Sequence, residues 1–358
     1  MNVALVVSTK NLLRPGHVVE PFEFGAPEGI ERVRRALLSA GHRVAEFEAD
    51  IYLGPSLVVG SPPPDVVFNY AHGFFGLYKS AYVPVVCDMV GIPCTGADAL
   101  ALATCADKIT LKDVARRVRM QTPDAHLCST MSEVREHFSA TNAAYMVKPN
   151  NFDSCLGVTH NAVCRTFGDI AAQAAELFEN GLGPVLVERL VAGREIVFGV
   201  FGNGADLELL SPVEISLGDE LEIFGNEVRH AISIGVPDVA TFHQLGGVHN
   251  ELAAALAERA LRICRTIGVR DLATVEFILG QDGVPYLLEI NAVPDLAPLG
   301  KAAPSLLEMS CNASGMQIED LVHGAVNAAV SRFGGLRESA AHQMQMSFDV
   351  AEGVMADG

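Results

Sequence analysis

Short apolar runs alternate with amphipathic stretches from the start of this chain. Val3 to Ser8, Arg43 to Phe47 and Asp65 to Asn69 read as strands, and Glu28 to Ala40 reads as a helix. A polar loop from Asn11 to Gly29 and the breaker Ser61-Pro62-Pro63-Pro64 separate them. Strands alternating with helices predict a parallel sheet, whose ligands gather at the carboxyl ends of the strands. After the turn-rich Met89 to Gly96, the alanine-rich stretch Ala97 to Val118 is helical in composition. Beyond Thr122-Pro123 the texture changes to shorter strands with charged helices, which sets a domain boundary near Leu102 to Lys108.

In the second half, Ala144 to Pro149, Pro184 to Val187 and Ile196 to Phe201 read as strands, and Thr166 to Gly181 as an amphipathic helix. Glu214 to His230 is rich in Gly and charge and lacks a period, so a mobile active-site loop is expected there. Asn250 to Ile267 is an amphipathic helix stopped by Gly268, and Ile318 to Phe333 repeats its pattern. Thr274 to Leu279 and Tyr286 to Ile290 flank Gln281-Asp282-Gly283, the pattern of a β-hairpin. The tail from Gly334 to Gly358 has no strong period and reads as a loose end or contact arm.

Composition narrows the function classes. A chain of 358 residues with 49% hydrophobic positions has enough apolar surface for two or three cored lobes. The formal net charge of −18 repels a nucleic-acid backbone. No apolar stretch approaches the ~20 residues that span a bilayer, and no signal-like segment opens the chain. The expectation is a cytoplasmic protein with neither nucleic acid nor membrane as partner. The eight cysteines show no Cys-x-x-Cys or zinc spacing and read as reduced thiols. Cys155 alone sits in a polar, Gly-ended loop, where a catalytic thiol is the alternative.

The hairpin carries the first candidate chemistry. Glu289 and Asn291 are two apart on a strand and so share a face, and a plausible register brings Glu276 beside them. Two carboxylates and an amide form an oxygen donor set suited to Mg²⁺, although an exposed hairpin with an acidic outer face would show the same pattern. Lys148 at a strand end, before the loop Asn150 to Val158, can aim an ammonium at phosphate. Lys108 is a lone cation after an apolar run, either a ligand or a solvated helix charge. His72, after the third strand, could contact a ligand or only cap local backbone. Glu188 and Glu195 bracket a Gly turn, as acceptors for an adenine amino group and a ribose hydroxyl or as an acidic surface hairpin.

Taken in order, these segments resemble the ATP-grasp superfamily, and within it the D-alanine–D-alanine ligase-like branch, to about Phe333. The resemblance rests on His72-Gly73, the Gly91 to Gly96 turn, Asp107-Lys108, Val147-Lys148-Pro149, Glu188 before Gly193-Arg194-Glu195, and Glu289-Ile290-Asn291. It implies an α/β chain with α+β lobes in a three-lobed ATP-grasp fold. An N-terminal Rossmann-like parallel-sheet domain would cover 1–104 and a small central lobe 105–189. A C-terminal antiparallel-sheet lobe with the metal and substrate site would cover 190–335, and a loose tail 336–358. ATP would lie between the second and third lobes, with Lys108 and Lys148 on its phosphates and Ser154 in the loop closing over them. Glu188 would meet the adenine, Leu190 would wall its pocket and Glu195 would meet the ribose. Glu276, Glu289 and Asn291 would hold Mg²⁺, with Mn²⁺ as a substitute. Arg229 would replace the Lys that relatives carry on a mobile loop, and Arg229, Lys148 and His72 are the candidate catalytic residues.

The departures fall on the substrate side. Thr274 stands where D-alanine ligases carry Arg, and Pro294-Asp295-Leu296-Ala297 replaces Pro-Gly-Met-Thr. Leu77-Tyr78-Lys79-Ser80 lacks the usual acidic residue and Gln, and Asn151 to Cys155 replaces Glu-Gly-Ser-Ser. Lys79 and Lys301 are the cations expected near substrate carboxylates, each equally readable as a surface lysine. The resemblance thus implies an ADP-forming carboxylate–amine ligase acting through an acyl-phosphate on small amino-acid-like substrates other than two D-alanines. A ring-closing ligase and a non-catalytic ATP-binding sensor are the alternatives, and the chain could form a homodimer.

Overall fold

The computed structural model describes residues 1–9, 26–59, 62–73, 76–153, 155–218, 221–245, 251–300 and 303–334. Most of the polar loop after Val7, together with Ser154, Lys301 and the tail expected over 336–358, lies outside the described residues. The chain opens with β1 (Asn2–Val7), α1 (Pro27–Ser39), β2 (Arg43–Glu48), α2 (Leu53–Val59) and β3 (Val66–Tyr70). β1 pairs in parallel with both β2 and β3, giving the order β2-β1-β3. Its alternate side chains serve two cores. Val3, Leu5 and Val7 face α1, and Ala4 and Val6 face α2 and α3 (Tyr82–Val90). The sheet therefore ends, at Tyr70 to Gly73, between two packed layers.

The helical stretch predicted over Ala97 to Val118 is two helices, α4 (Ala99–Ala106) and α5 (Lys108–Arg117). Asp107 breaks them because it is extended, with φ −103° and ψ 96°, and its carboxylate accepts the amide of Thr110 as an N-cap. Lys108 therefore begins a helix rather than decorating the middle of one. The buried face of α5 is Lys108, Leu111, Lys112 and Ala115, so two lysines lie on its inward stripe.

Next come β4 (Ala125–Cys128), α6 (Met131–Phe138), β5 (Tyr145–Pro149), β6 (Val163–Cys164), α7 (Phe167–Glu179) and β7 (Val185–Arg189). They form an antiparallel sheet of order β4-β7-β5-β6. α6 and α7 cover one face through Val134, Phe138, Ile170, Ala174 and Leu177. A reciprocal capping box between Thr166 and Asp169 starts α7. The other face carries Glu188 and Lys148, because Glu188 lies opposite Met146 and Lys148 is two residues farther along β5.

The rest comprises β8 (Gly193–Gly202), β9 (Glu208–Leu209), β10 (Val213–Leu217), α8 (Asn226–Ser233), β11 (Ala240–Gln244), α9 (Glu251–Ile267), β12 (Asp271–Gly280), β13 (Pro285–Asn291), α10 (Leu306–Ala313) and α11 over 318–334. These strands make an antiparallel sheet of order β11-β10-β8-β12-β13, with β9 on β8. One face, with Ile196, Phe198, Val275, Phe277 and Ile290, packs on α5 and α9. The opposite face presents Glu195, Glu276 and Glu289. Of the loop expected over Glu214 to His230, residues 214–217 belong to β10 and 226–230 to α8, 218 and 221–225 are irregular, and 219–220 lie outside the described residues. Val228 is the one buried residue of α8, and its apolar stripe of Val228, Ala231 and Ile232 is a single turn long, too short a period to stand out beside the charged residues before it.

Two segments meet over the gap between the antiparallel sheets. Asn226 donates its amide to Val158 at 2.8 Å, and His160 donates its amide to the Glu227 carboxylate at 2.8 Å. The Cys155 thiol donates to the Phe224 carbonyl at 3.5 Å, and Arg165 pairs with Glu222. A Cβ on Gly225 would fall 2.6 Å from the Val158 carbonyl, so glycine permits this approach.

Candidate active site

A cavity of about 660 Å³ opens between the two antiparallel sheets beneath these segments. That volume is in the range of small-molecule and nucleotide sites. Ten of the described candidates line it, namely His72, Lys108, Lys148, Glu188, Leu190, Glu195, Arg229, Glu276, Glu289 and Asn291, whereas Lys79, expected near a substrate carboxylate, does not. Ser154 lies outside the described residues.

The register of the hairpin brings the acidic group together. Glu276 lies opposite Glu289 and Thr274 opposite Asn291, with a bulge between Glu276 and Phe277. On the other side of β12, Ile278 pairs with Glu195, so Glu195 and Glu276 share a face. Asn291 spans the pair, its Nδ2 donating to Glu276 Oε1 at 2.9 Å and to Glu289 Oε1 at 3.4 Å. A half-turn of the amide presents its carbonyl oxygen at the same place. The donors are hard oxygens, as Mg²⁺ requires, and the set fits a divalent cation. Among the described residues no three His, Cys, Asp or Glu side chains form a metal-binding group.

The charge state of the group supports that fit. Burial, then the charges of Glu289 and Glu195, hold Glu276 well above the usual carboxylate range. Burial also disfavours ionised Glu289, but the ammoniums of Lys108 and Lys148 outweigh it and keep its pKa low. Glu195 is pushed up to about 7 by burial and by Glu289. Glu276 and Glu195 thus hold their protons more tightly than usual while Glu289 stays ionised, and a divalent cation on the set would displace the proton of Glu276.

A pH dependence of stability follows from Glu195. Its carboxyl titrates near 4.5 in the unfolded chain and at about 7 in the fold, so the folded state keeps a proton the unfolded state has released. Its contribution is fully present below 4.5 and is lost as pH rises to about 7. Glu195→Gln, measured by thermal unfolding without metal, should therefore gain on the wild type as pH rises through that window. A difference between the two proteins that is constant with pH would refute the assignment.

The cations surround the acidic group. Lys108 Nζ donates to the Phe152 carbonyl at 2.7 Å and lies 3.5 Å from Glu289 and 3.8 Å from Asp153. Burial opposes its charge, but Glu289 and Asp153 outweigh that and raise its pKa. Lys148 Nζ lies 2.6 Å from Glu188 Oε1. Arg229 donates to Asp295 at 3.0 Å, from the folded helix α8. Asp295 also accepts from the Tyr70 hydroxyl at 3.2 Å and the Ala297 amide at 2.8 Å. His72 Nδ1 is 3.9 Å from Asp153, too far for a hydrogen bond. Lys79 places its ammonium 5.3 Å from the Phe152 ring centroid. Burial pushes the Cys155 thiol up to about 11, against the pull of Arg229, which disfavours a thiolate nucleophile.

Glu188 and Glu195 lie on two different sheets, joined by Leu190 to Gly193. A Cβ on Gly193 would meet the Leu279 carbonyl at 2.2 Å, so the crossing backbone lies tight against β12. Glu188 faces two ammoniums, Lys148 and Lys112, the latter 2.8 Å from Oε2. Sequence reading missed Lys112, although its position four residues after Lys108 on an otherwise apolar stripe was the available signal. Asp153 and Asp295 were likewise visible only as loop residues.

A family model for the D-ala D-ala ligase C-terminus matches residues 118–327. The D-alanine–D-alanine ligase of Bordetella petrii is 28% identical over 305 residues, 84% of this chain and 86% of that protein. D-alanyl-alanine synthetase A from Vibrio cholerae has a similar fold at TM-score 0.70 and 18% identity, over 92% of this chain and 98% of the other. The D-alanine–D-alanine ligase from Bacillus anthracis, solved in complex with ATP, matches at TM-score 0.68 and 16% identity, over 94% and 98%. With the family model covering more than half of its length, the chain belongs to the D-alanine–D-alanine ligase family of ADP-forming ATP-grasp ligases.

Proposed function

We propose that the protein joins a small amino-acid-like carboxylate to an amine at the expense of ATP, and that D-alanyl-D-alanine is not its product. The observation that carries this reading is one cavity lined by two buried lysines, Lys108 and Lys148, and by Glu276, Glu289 and Asn291. Mg²⁺ held by the last three would neutralise phosphate charge and orient the nucleotide. Lys108 and Lys148 bind phosphate oxygens, and Arg229 supplies a further cation close to the reacting end. A substrate carboxylate oxygen bonds to the terminal phosphorus as ADP leaves, and the amine then displaces phosphate from the acyl carbon. No protein nucleophile is needed. Glu188 receives the adenine amino group, Leu190 walls the base and Glu195 meets the ribose, all three from the lining of the same cavity.

The altered product rests on Thr274 and Asp295. Both line the cavity, Thr274 beside Asn291 and Asp295 against Arg229, at positions where the resemblance expects Arg and Gly. Exchanging a cation for a hydroxyl, and a glycine for a carboxylate, changes which polar groups a substrate must satisfy. A site built for specific hydrogen bonds rejects ligands that leave them unpaired by ~10⁴ or more. ADP release with D-alanine as sole substrate should be negligible, and should appear with a different acid and amine or with one molecule bearing both groups. Robust D-alanyl-D-alanine synthesis would overturn the product assignment. Tight Mg·ATP binding with no turnover across a broad panel would favour a sensor.

A further inference from the structure

Lys112 is fully buried, the one charged residue among the largest fully buried side chains of the described residues, and it does not line the cavity. An ammonium removed from water costs several kcal/mol unless it is paired. Here it lies 2.8 Å from Glu188 Oε2 and donates to Thr122 Oγ1 at 3.0 Å. The Thr122 hydroxyl donates in turn to the Leu287 carbonyl of β13 at 3.1 Å. Glu188 Oε1 holds Lys148 at 2.6 Å. Contacts of this kind thus run from α5 to both antiparallel sheets and end on a cation that faces the cavity.

Stability alone is a poor account of this arrangement, because well-packed apolar residues replace buried ion pairs with little loss or some gain. Charge balance gives a better one. With Lys148 alone, Glu188 would form a neutral pair and cancel the charge the cavity presents. Burial lowers the Lys112 pKa and the Glu188 charge opposes that shift; with Lys112 as an ammonium on the far oxygen of Glu188, the trio retains one positive charge, and Lys148 stands at its open side. Burial would by itself raise the Glu188 carboxyl, but the two ammoniums hold it at about 2, so the carboxylate remains charged at neutral pH. We propose that Lys112 is a positioning residue for Lys148, acting through Glu188 so that net positive charge remains for an anionic ligand. The proposal rests on the reading that this ligand is ATP.

The test is the affinity of the wild type, Lys112→Met, Glu188→Gln and the double variant for Mg·ATP and, by competition, for adenosine, which has no phosphate. Circular dichroism and thermal unfolding establish the folding of each. Lys112→Met should weaken Mg·ATP about tenfold or more while changing adenosine by less than about threefold. In the Glu188→Gln background the same substitution should have little effect, since its intermediary is gone. Equal losses for both ligands, or no loss of Mg·ATP, would reduce Lys112 to packing and overturn the proposal. An undiminished loss in the Glu188→Gln background would overturn transmission through Glu188. Should Lys112→Met not fold, the comparison of Glu188→Gln with the double variant decides: equal Mg·ATP affinity supports the proposal and weaker binding in the double variant overturns it. A wild type that binds no Mg·ATP would instead refute the ATP reading itself.

Discussion

Glu289→Gln should leave the fold standing and lower turnover about a thousandfold or more. The amide is isosteric, the pairing of β12 with β13 rests on backbone hydrogen bonds, and the side chain is only half-buried, so the sheet has no reason to open. The charge is what disappears. Glu289 is the ionised member of the acidic group, 3.5 Å from Lys108 and in contact with Asn291. Without it the proposed metal set loses charge, and Lys108 loses a carboxylate that fixes its ammonium. Glu276 also loses the strongest charge that raises its pKa, so its proton should leave at lower pH. The half-saturating Mg²⁺ concentration should rise together with the loss of rate. Near-native turnover at saturating Mg²⁺ would remove Glu289 from the mechanism.

Arg229→Ala should lower turnover about a hundredfold or more while weakening ATP much less. Arg229 reaches the cavity from α8 and is held at 3.0 Å by Asp295, which Tyr70 and the Ala297 amide also hold. The guanidinium is thus oriented before any ligand arrives. Burial opposes its charge, but its neighbours, Asp295 among them, raise its pKa further, so it is charged at every working pH. An oriented cation near the reacting phosphate acts mainly on charge that develops during transfer, which predicts a fall in kcat with a smaller change in Kd. An ATP-bound structure with Arg229 turned to solvent, or a variant with unchanged turnover, would discard this role. Asp295→Asn should reproduce part of the kinetic loss, because it loosens the fork without removing it.

Sequence pattern revealed the sheets and most of the acidic group for a plain reason. Strand periodicity places Glu289 and Asn291 on one face whatever their neighbours, and the hairpin turn sets the register that adds Glu276. Val147-Lys148-Pro149 was legible in the same way. Helical positions were harder. A lysine on a helix reads as solvated, and only the apolar stripe through Leu111 and Ala115 betrays that Lys108 and Lys112 point inward. The division at Asp107 was hidden because Asp in a helix-rich stretch is common, whereas its capping of Thr110 is a matter of three-dimensional geometry. α8 escaped because its sides are polar for contacts with another part of the chain, among them the hydrogen bond between Glu227 and the His160 ring. Asp153 and Asp295 lie in loops, where no period assigns a side chain to a direction.

The roof of the cavity is made half by residues 155–165 and half by residues 222–229, and neither half is complete alone. A ligand held beneath them binds only the fraction of molecules in which they have met. Apparent affinity is the intrinsic affinity multiplied by that fraction, so a change at Gly225 or Glu227 that touches no ligand would weaken every ligand enclosed there by a common factor. Reciprocally, a bound nucleotide would draw the two halves together and slow amide exchange at Asn226, whose proton is held by Val158.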